Sequence, residues 1–264
     1  MNFFKIYFRK FPQFLLINVI YFLITLPLLA FFCVQANLVW MSLSQGEGGL
    51  IFPGAVLITS VFSFFPSGIN YFLITFSALL YGPLKMGMSY IFIGYSYERH
   101  AWLSDFFTVA IKNIRQGVFF GLLDVIFIGL ITNFISAALI TGYSQWELMF
   151  KISLALSLVS VAFYISVRRY FFIQAISVET GVLCIIRNAF SLSLIGWNKN
   201  LLAGAISVFI WSVSLMLDAR ITIIFLPTLA YSLTNFISVY SSAPILQKYL
   251  IAPSKEQQSR KNDA

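Results

Sequence analysis

The 264-residue chain is 59% hydrophobic and only 10% charged, with a mean hydropathy of +0.88 and a formal net charge of +8. A soluble domain carries roughly 25% charged residues, so a fold dispersed in water is excluded and lipid must be the solvent for most of this sequence. The polar ends are short, residues 1–11 and 252–264, which leaves one membrane-embedded domain over 1–251 and a disordered cytoplasmic tail over 252–264.

Lys5, Arg9 and Lys10 precede an apolar run from Phe14 to Val34. That run exceeds the roughly 7–15 residues of a signal-peptide core and lacks a small-residue cleavage site, so it is expected to remain as a first span. Apolar stretches of about 20 residues match the ~30 Å hydrocarbon layer and predict six spans, at about 12–34, 71–97, 117–141, 149–172, 199–217 and 220–244. They must be helices, because lipid offers backbone N–H and C=O groups no partner. The expected fold is therefore an all-α polytopic transmembrane bundle.

Between the first two spans, residues 50–65 are apolar and end at Pro66-Ser67-Gly68. Counted as a span, this stretch would move every later loop across the membrane and place most basic residues outside. It is read as a re-entrant or outer-surface helix. Gly82-Pro83 predicts a kink in the second span, with Lys85 just beyond it.

Residues 102–115 then show helical periodicity. Trp102, Leu103, Phe106, Phe107, Ala110, Ile111 and Ile114 fall on one face, and Asp105, Thr108, Lys112 and Arg115 on the other, with Ser104 as N-cap. Arg99, His100, Trp102, Asp105, Phe106, Phe107, Lys112 and Arg115 thus form a candidate surface for lipid headgroups or for a cytoplasmic partner. Residues 178–193 behave similarly, with Val182, Ile185, Ile186, Ala189 and Phe190 apolar beside Glu179, Arg187 and Asn188. The order span, surface helix, span would then occur twice in one orientation, a faint parallel repeat.

The short polar segment Gly142–Glu147 and the pair Asp218 and Arg220 mark the remaining turns. With both termini inside, fourteen of the 17 basic residues fall on the cytoplasmic side. That count includes Arg168 and Arg169, placed at the inner end of the fourth span. The expected location is the bacterial cytoplasmic membrane.

Lys85 and Asp124 are the candidate intramembrane polar site, because a charge inside a span is costly unless it faces protein or water. A Lys85–Asp124 pair beside a broken helix would resemble a substrate or ion site. The alternative leaves Lys85 snorkelling and Asp124 bonded to Arg168, Arg169 or amides. Gly117 and Gly121 have a GxxxG spacing, which permits close helix approach but arises often by chance. Tyr95, Tyr97, Trp102, Trp146 and Trp197 fit an aromatic belt.

Cys33 and Cys184 are expected on opposite sides of the membrane, which argues against a disulfide, and His100 is the single histidine, too little for a metal site. No catalytic constellation, cofactor motif or nucleic-acid signature is present, so enzymatic activity is not expected. The lipid bilayer is the partner that composition implies.

The segment Gly82-Pro83-Leu84-Lys85-Met86-Gly87-Met88-Ser89-Tyr90, followed by Tyr97-Glu98-Arg99-His100-Ala101-Trp102-Leu103-Ser104-Asp105-Phe106-Phe107, Lys112-Asn113 and Gln116-Gly117, resembles the YesL-like family of bacterial membrane proteins. Asn188-Ala189-Phe190, Asn198-Lys199-Asn200-Leu201-Leu202 and Lys248-Tyr249-Leu250 extend the likeness along most of the chain. None of these motifs is catalytic. Gly94-Tyr95-Ser96 departs from the family pattern, which has a basic residue in that corner. The resemblance implies a multi-pass protein associated with carbohydrate uptake and utilisation, an accessory partner of a membrane permease or its ATPase. It also implies that the Gly-Pro break lies near the outer face, after an insertion over 36–81. An autonomous small-solute transporter or channel is the competing expectation.

Overall fold

Helices dominate because lipid leaves the backbone no other source of hydrogen bonds. The computed structural model describes residues 3–43, 65–97, 99–141, 147–178 and 180–253, and contains no strand among them. The helices are α1 Phe3–Arg9, α2 Phe11–Leu43, α3 Ser67–Ser96, α4 Leu103–Lys112, α5 Ile114–Thr141, α6 Glu147–Ser177, α7 Val182–Ile195, α8 Trp197–Met216, α9 Ala219–Phe225 and α10 Tyr231–Leu246. The readings made for residues 50–65, for most of the turn after Thr141, and for the tail beyond Pro253 lie outside the described residues.

Five segments are long and apolar enough to cross a membrane: Phe11–Val34, Ile114–Phe134, Lys151–Ser177, Trp197–Met216 and Arg220–Ile251. The fold is thus an all-α membrane helix bundle, and the apolar stretches coincide closely with five of the six predicted spans. Helix α3 has crossing length at 30 residues, but Asn70, Lys85 and its glycines, serines and Pro83 lower its hydropathy. Its position explains that polarity. Helix α3 packs against α2, α4, α5, α6 and α10, so protein rather than lipid surrounds much of it.

Helix α3 runs unbroken through Gly82-Pro83, so the dipeptide does not interrupt the helix. It is the crossing point with α5. A Cβ on Gly82 would lie 1.8 Å from the Gly117 carbonyl oxygen, and one on Gly121 would lie 2.8 Å from the Gly82 nitrogen. The GxxxG pair, unremarkable as a sequence match, therefore provides the groove in which the two backbones touch.

Helix α4 docks on α3 one turn further along, where a Cβ on Gly87 would lie 2.4 Å from the Phe106 carbonyl oxygen. Phe106 is fully buried there, which removes it from the expected exposed surface. Helix α4 begins two residues earlier than the proposed Ser104 cap implies, with Trp102 at the cap position. The Asp105 carboxylate accepts from the Trp102 backbone N–H at 2.8 Å, satisfying a donor at the helix start. We expect Gly87→Ala to loosen α4 from α3, read as faster proteolysis or hydrogen exchange over 99–116, with α2 and α10 unchanged.

One face of the bundle collects the starts of α2, α5 and α8, the ends of α3, α6 and α10, and the short helices α4 and α7. The ring of Phe14 meets Phe92 and Tyr95, and Lys10 sits 5.3 Å from the Tyr95 ring, fixing α2 beside the end of α3. Tyr95 is only 2% exposed, so it belongs to this aromatic core and not to an interfacial belt. The Tyr97 hydroxyl donates to the Gln247 side-chain oxygen at 2.6 Å, bringing the end of α10 to the same face.

The expected repeat is visible as order and packing. In both α3–α4–α5 and α6–α7–α8 the short helix lies on the long helix before it. The copies differ at their centres: α3 and α5 touch at glycines, whereas α6 and α8 meet through the Arg169 side chain and both line a cavity.

Candidate solute cavity

Residues from α2, α3, α5, α6, α8 and α10 line a half-open cavity of about 520 Å³. Its walls mix ring faces, Tyr21, Tyr81, Trp211 and Tyr231, with the polar groups Lys85, Arg168, Arg169 and Asn235. At 1.5 Å per residue, Lys85, Asp124 and Arg168 each lie roughly 15 Å from the α4/α7 face, about half the hydrocarbon thickness. From that level the lining continues away from the face, along α2 to Cys33 and along α8 to Leu215.

Asp124, 1% exposed, stands behind this wall. Its carboxylate accepts from Arg168 Nε at 2.6 Å and from the Tyr164 hydroxyl at 2.6 Å. Tyr164 is itself clamped by Phe127, with ring centroids 3.8 Å apart. Arg168 also donates to the Tyr81 hydroxyl, and its guanidinium lies 5.9 Å from the Tyr81 and Phe172 rings. A buried ion pair holds only when its remaining hydrogen bonds are made; here tyrosines from α3 and α6 make them.

Lys85 donates to the Asn235 side-chain oxygen, so α3 and α10 meet inside the cavity. Of the two candidate polar residues, Lys85 lines the cavity while Asp124 lies one layer out, bonded to Arg168. Of the two arrangements expected for Asp124, the bond to Arg168 forms and the direct Lys85–Asp124 pair does not. Arg169 turns the other way and donates to the Asn200 carbonyl at 2.9 Å, at the root of α8. Asn200 in turn accepts from the Tyr170 hydroxyl at 3.2 Å and donates to the Ser193 carbonyl at 3.2 Å, tying α6, α7 and α8 together.

Helix α10 delivers its polar residues just after a local widening. Over Leu226–Ala230, which contains Pro227, the Tyr231 N–H reaches the Leu226 carbonyl, one residue further back than in an α-helix. Such π-type turns accompany an inserted residue and redirect the side chains beyond it. Tyr231, Thr234, Asn235 and Ser238 follow directly and all line the cavity.

On the α4/α7 face, Arg99, His100, Trp102, Phe107, Lys112 and Arg115 are exposed and Asp105 is half-buried in its capping role. Lengthwise, Trp102 at 72%, Ile111 at 68% and Leu183 at 83% exposure leave large apolar side chains uncovered on α4 and α7. Cys33 is buried in the cavity wall and Cys184 is exposed on α7.

Sequence reading missed Arg168, Arg169, Asn235 and Trp211 as cavity residues. Two adjacent arginines read as the end of a span, yet the apolar run Tyr170-Phe171-Phe172-Ile173 beyond them was the available sign that α6 continues. Fold and cavity together define a polytopic α-helical membrane protein with a cationic pocket at mid-depth. No family model, curated protein or solved structure matches the chain.

Proposed function

We propose that this protein binds a small solute within the bilayer and moves it across, as an autonomous transporter. The cavity at mid-depth carries this reading: its volume of about 520 Å³ falls within the range of small-molecule sites, and its rings and convergent polar groups are what such sites use. Packed bundle interiors rarely leave space of this size without an occupant. In this reading α3 is a sixth crossing, both termini lie in the cytoplasm, and the basic residues of the α4/α7 face set that orientation in a bacterial cytoplasmic membrane.

Purified protein in liposomes is expected to take up solute, and Trp211→Ala is expected to lower apparent affinity about tenfold by removing a ring from the wall. Flux equal to that of empty liposomes, across neutral and charged solutes, contradicts the proposal.

A second reading follows from the uncovered Trp102, Ile111 and Leu183 on α4 and α7: these short helices dock on a permease or its ATPase, and the chain serves carbohydrate uptake as an accessory subunit. The family resemblance supports it. Crosslinking through Trp102→Cys and Leu183→Cys in native membranes is expected to capture such a subunit; recovery of lipid adducts alone removes this reading.

A further inference from the structure

We infer that the cavity binds the oxyanion of a soluble organic solute, a carboxylate or phosphate group, with Lys85 and Arg168 as its ligands. The inference rests on the solute-cavity reading and names the chemistry of that solute. Charge carries it first. Lys85, Arg168 and Arg169 all line the cavity, and no Asp or Glu does so among the described residues. Asp124 offsets one of these cations from behind, which leaves an excess of positive charge about half-way through a hydrocarbon layer, where a charge is stable only beside a counter-charge or water.

Hydrogen-bond supply points the same way. An ammonium offers three donors and a guanidinium five. Lys85 meets the neutral Asn235 amide oxygen, and Arg168 meets Asp124 and Tyr81, so donors outnumber the acceptors that the walls supply to them. An oxyanion accepts several such bonds at once and neutralises charge in the same contact. The lining hydroxyls add a second feature. Ser89, Ser207 and Thr234 give their protons to carbonyls of their own helices, at 2.8, 2.7 and 2.7 Å. Their oxygens remain as acceptors for hydroxyl groups on the solute body.

The test uses full-length protein in phosphatidylcholine nanodiscs, with binding of glucose 6-phosphate, gluconate and inorganic phosphate compared with that of glucose. At least one organic anion is expected to bind more tightly than glucose. Lys85→Gln, which keeps an amide-to-amide bond to Asn235, is expected to fold and to weaken anion binding about tenfold or more, and Lys85→Arg is expected to restore it. Glucose binding as tightly as the anions, or anion binding indifferent to Lys85→Gln, overturns the inference and leaves the solute cavity standing. Absence of binding by every probe overturns both. Competition by added phosphatidylglycerol would assign the oxyanion to a lipid headgroup and overturn the claim of a soluble solute.

Discussion

Asp124→Ala is expected to be the most damaging single substitution of a polar residue in this chain. It leaves Arg168 without its counter-charge and the Tyr164 hydroxyl without its acceptor, both next to a residue only 1% exposed. Breaking a buried pair from one side costs roughly 3–5 kcal/mol, because the survivor stays charged and unpaired. Folded yield in detergent and the thermal midpoint of the purified protein should both fall sharply. The double variant Asp124→Asn, Arg168→Gln should recover much of the loss, since two neutral amides can bond where one lone guanidinium cannot. Equal damage from the double and the single variant would show that Asp124 acts through shape and not through charge.

The second large effect is expected from Gly82→Val. The α3–α5 crossing has no room for even one carbon: a Cβ on Gly82 would sit 1.8 Å from the Gly117 carbonyl oxygen and 2.9 Å from the Gly121 nitrogen. Backbone cannot yield as a side-chain tip does, so the helices must separate, and separation opens the layer in which Tyr81 on α3 and Asp124 on α5 both hold Arg168. Over-packing typically costs about 1–3 kcal/mol in soluble cores, and a backbone-to-backbone clash belongs at or above the top of that range. Gly129→Ala provides the control, because a Cβ there meets nothing within 4 Å. Comparable loss of folded protein from both substitutions would remove the crossing as the cause.

Much of the fold was legible because lipid restricts the choices. Hydropathy located the starts of the long helices to within four residues but ended α2 nine residues early, and Asp218 does mark the α8–α9 turn, accepting from the Arg220 N–H at 2.9 Å. Periodicity found both short helices. Which apolar residues of α4 are covered was not legible, since Phe106 and Phe107 are adjacent and alike in type, and only the gap at Gly87 selects the first.

The cavity was harder to see for two physical reasons. Choosing the partner of Asp124 among Lys85, Arg168 and Arg169 requires the relative rotation of three helices, which no spacing encodes. Asn235 and Trp211 carry no charge and resemble ordinary span residues; they acquire a role only because packing turns both toward one cavity. Lys85 was visible because a cation within a span is costly wherever it points.

Accessibility of α8 to an aqueous reagent tests the account most directly. In a background lacking Cys33 and Cys184, Ser207→Cys and Ser212→Cys line the cavity, whereas Phe209→Cys lies 68% exposed on the outer surface of the bundle. In native membrane vesicles a membrane-impermeant thiol reagent is expected to modify the first two and spare the third. Modification of Phe209→Cys with Ser207→Cys and Ser212→Cys untouched would place water outside the bundle and lipid or packed protein where the cavity is described, contradicting the account.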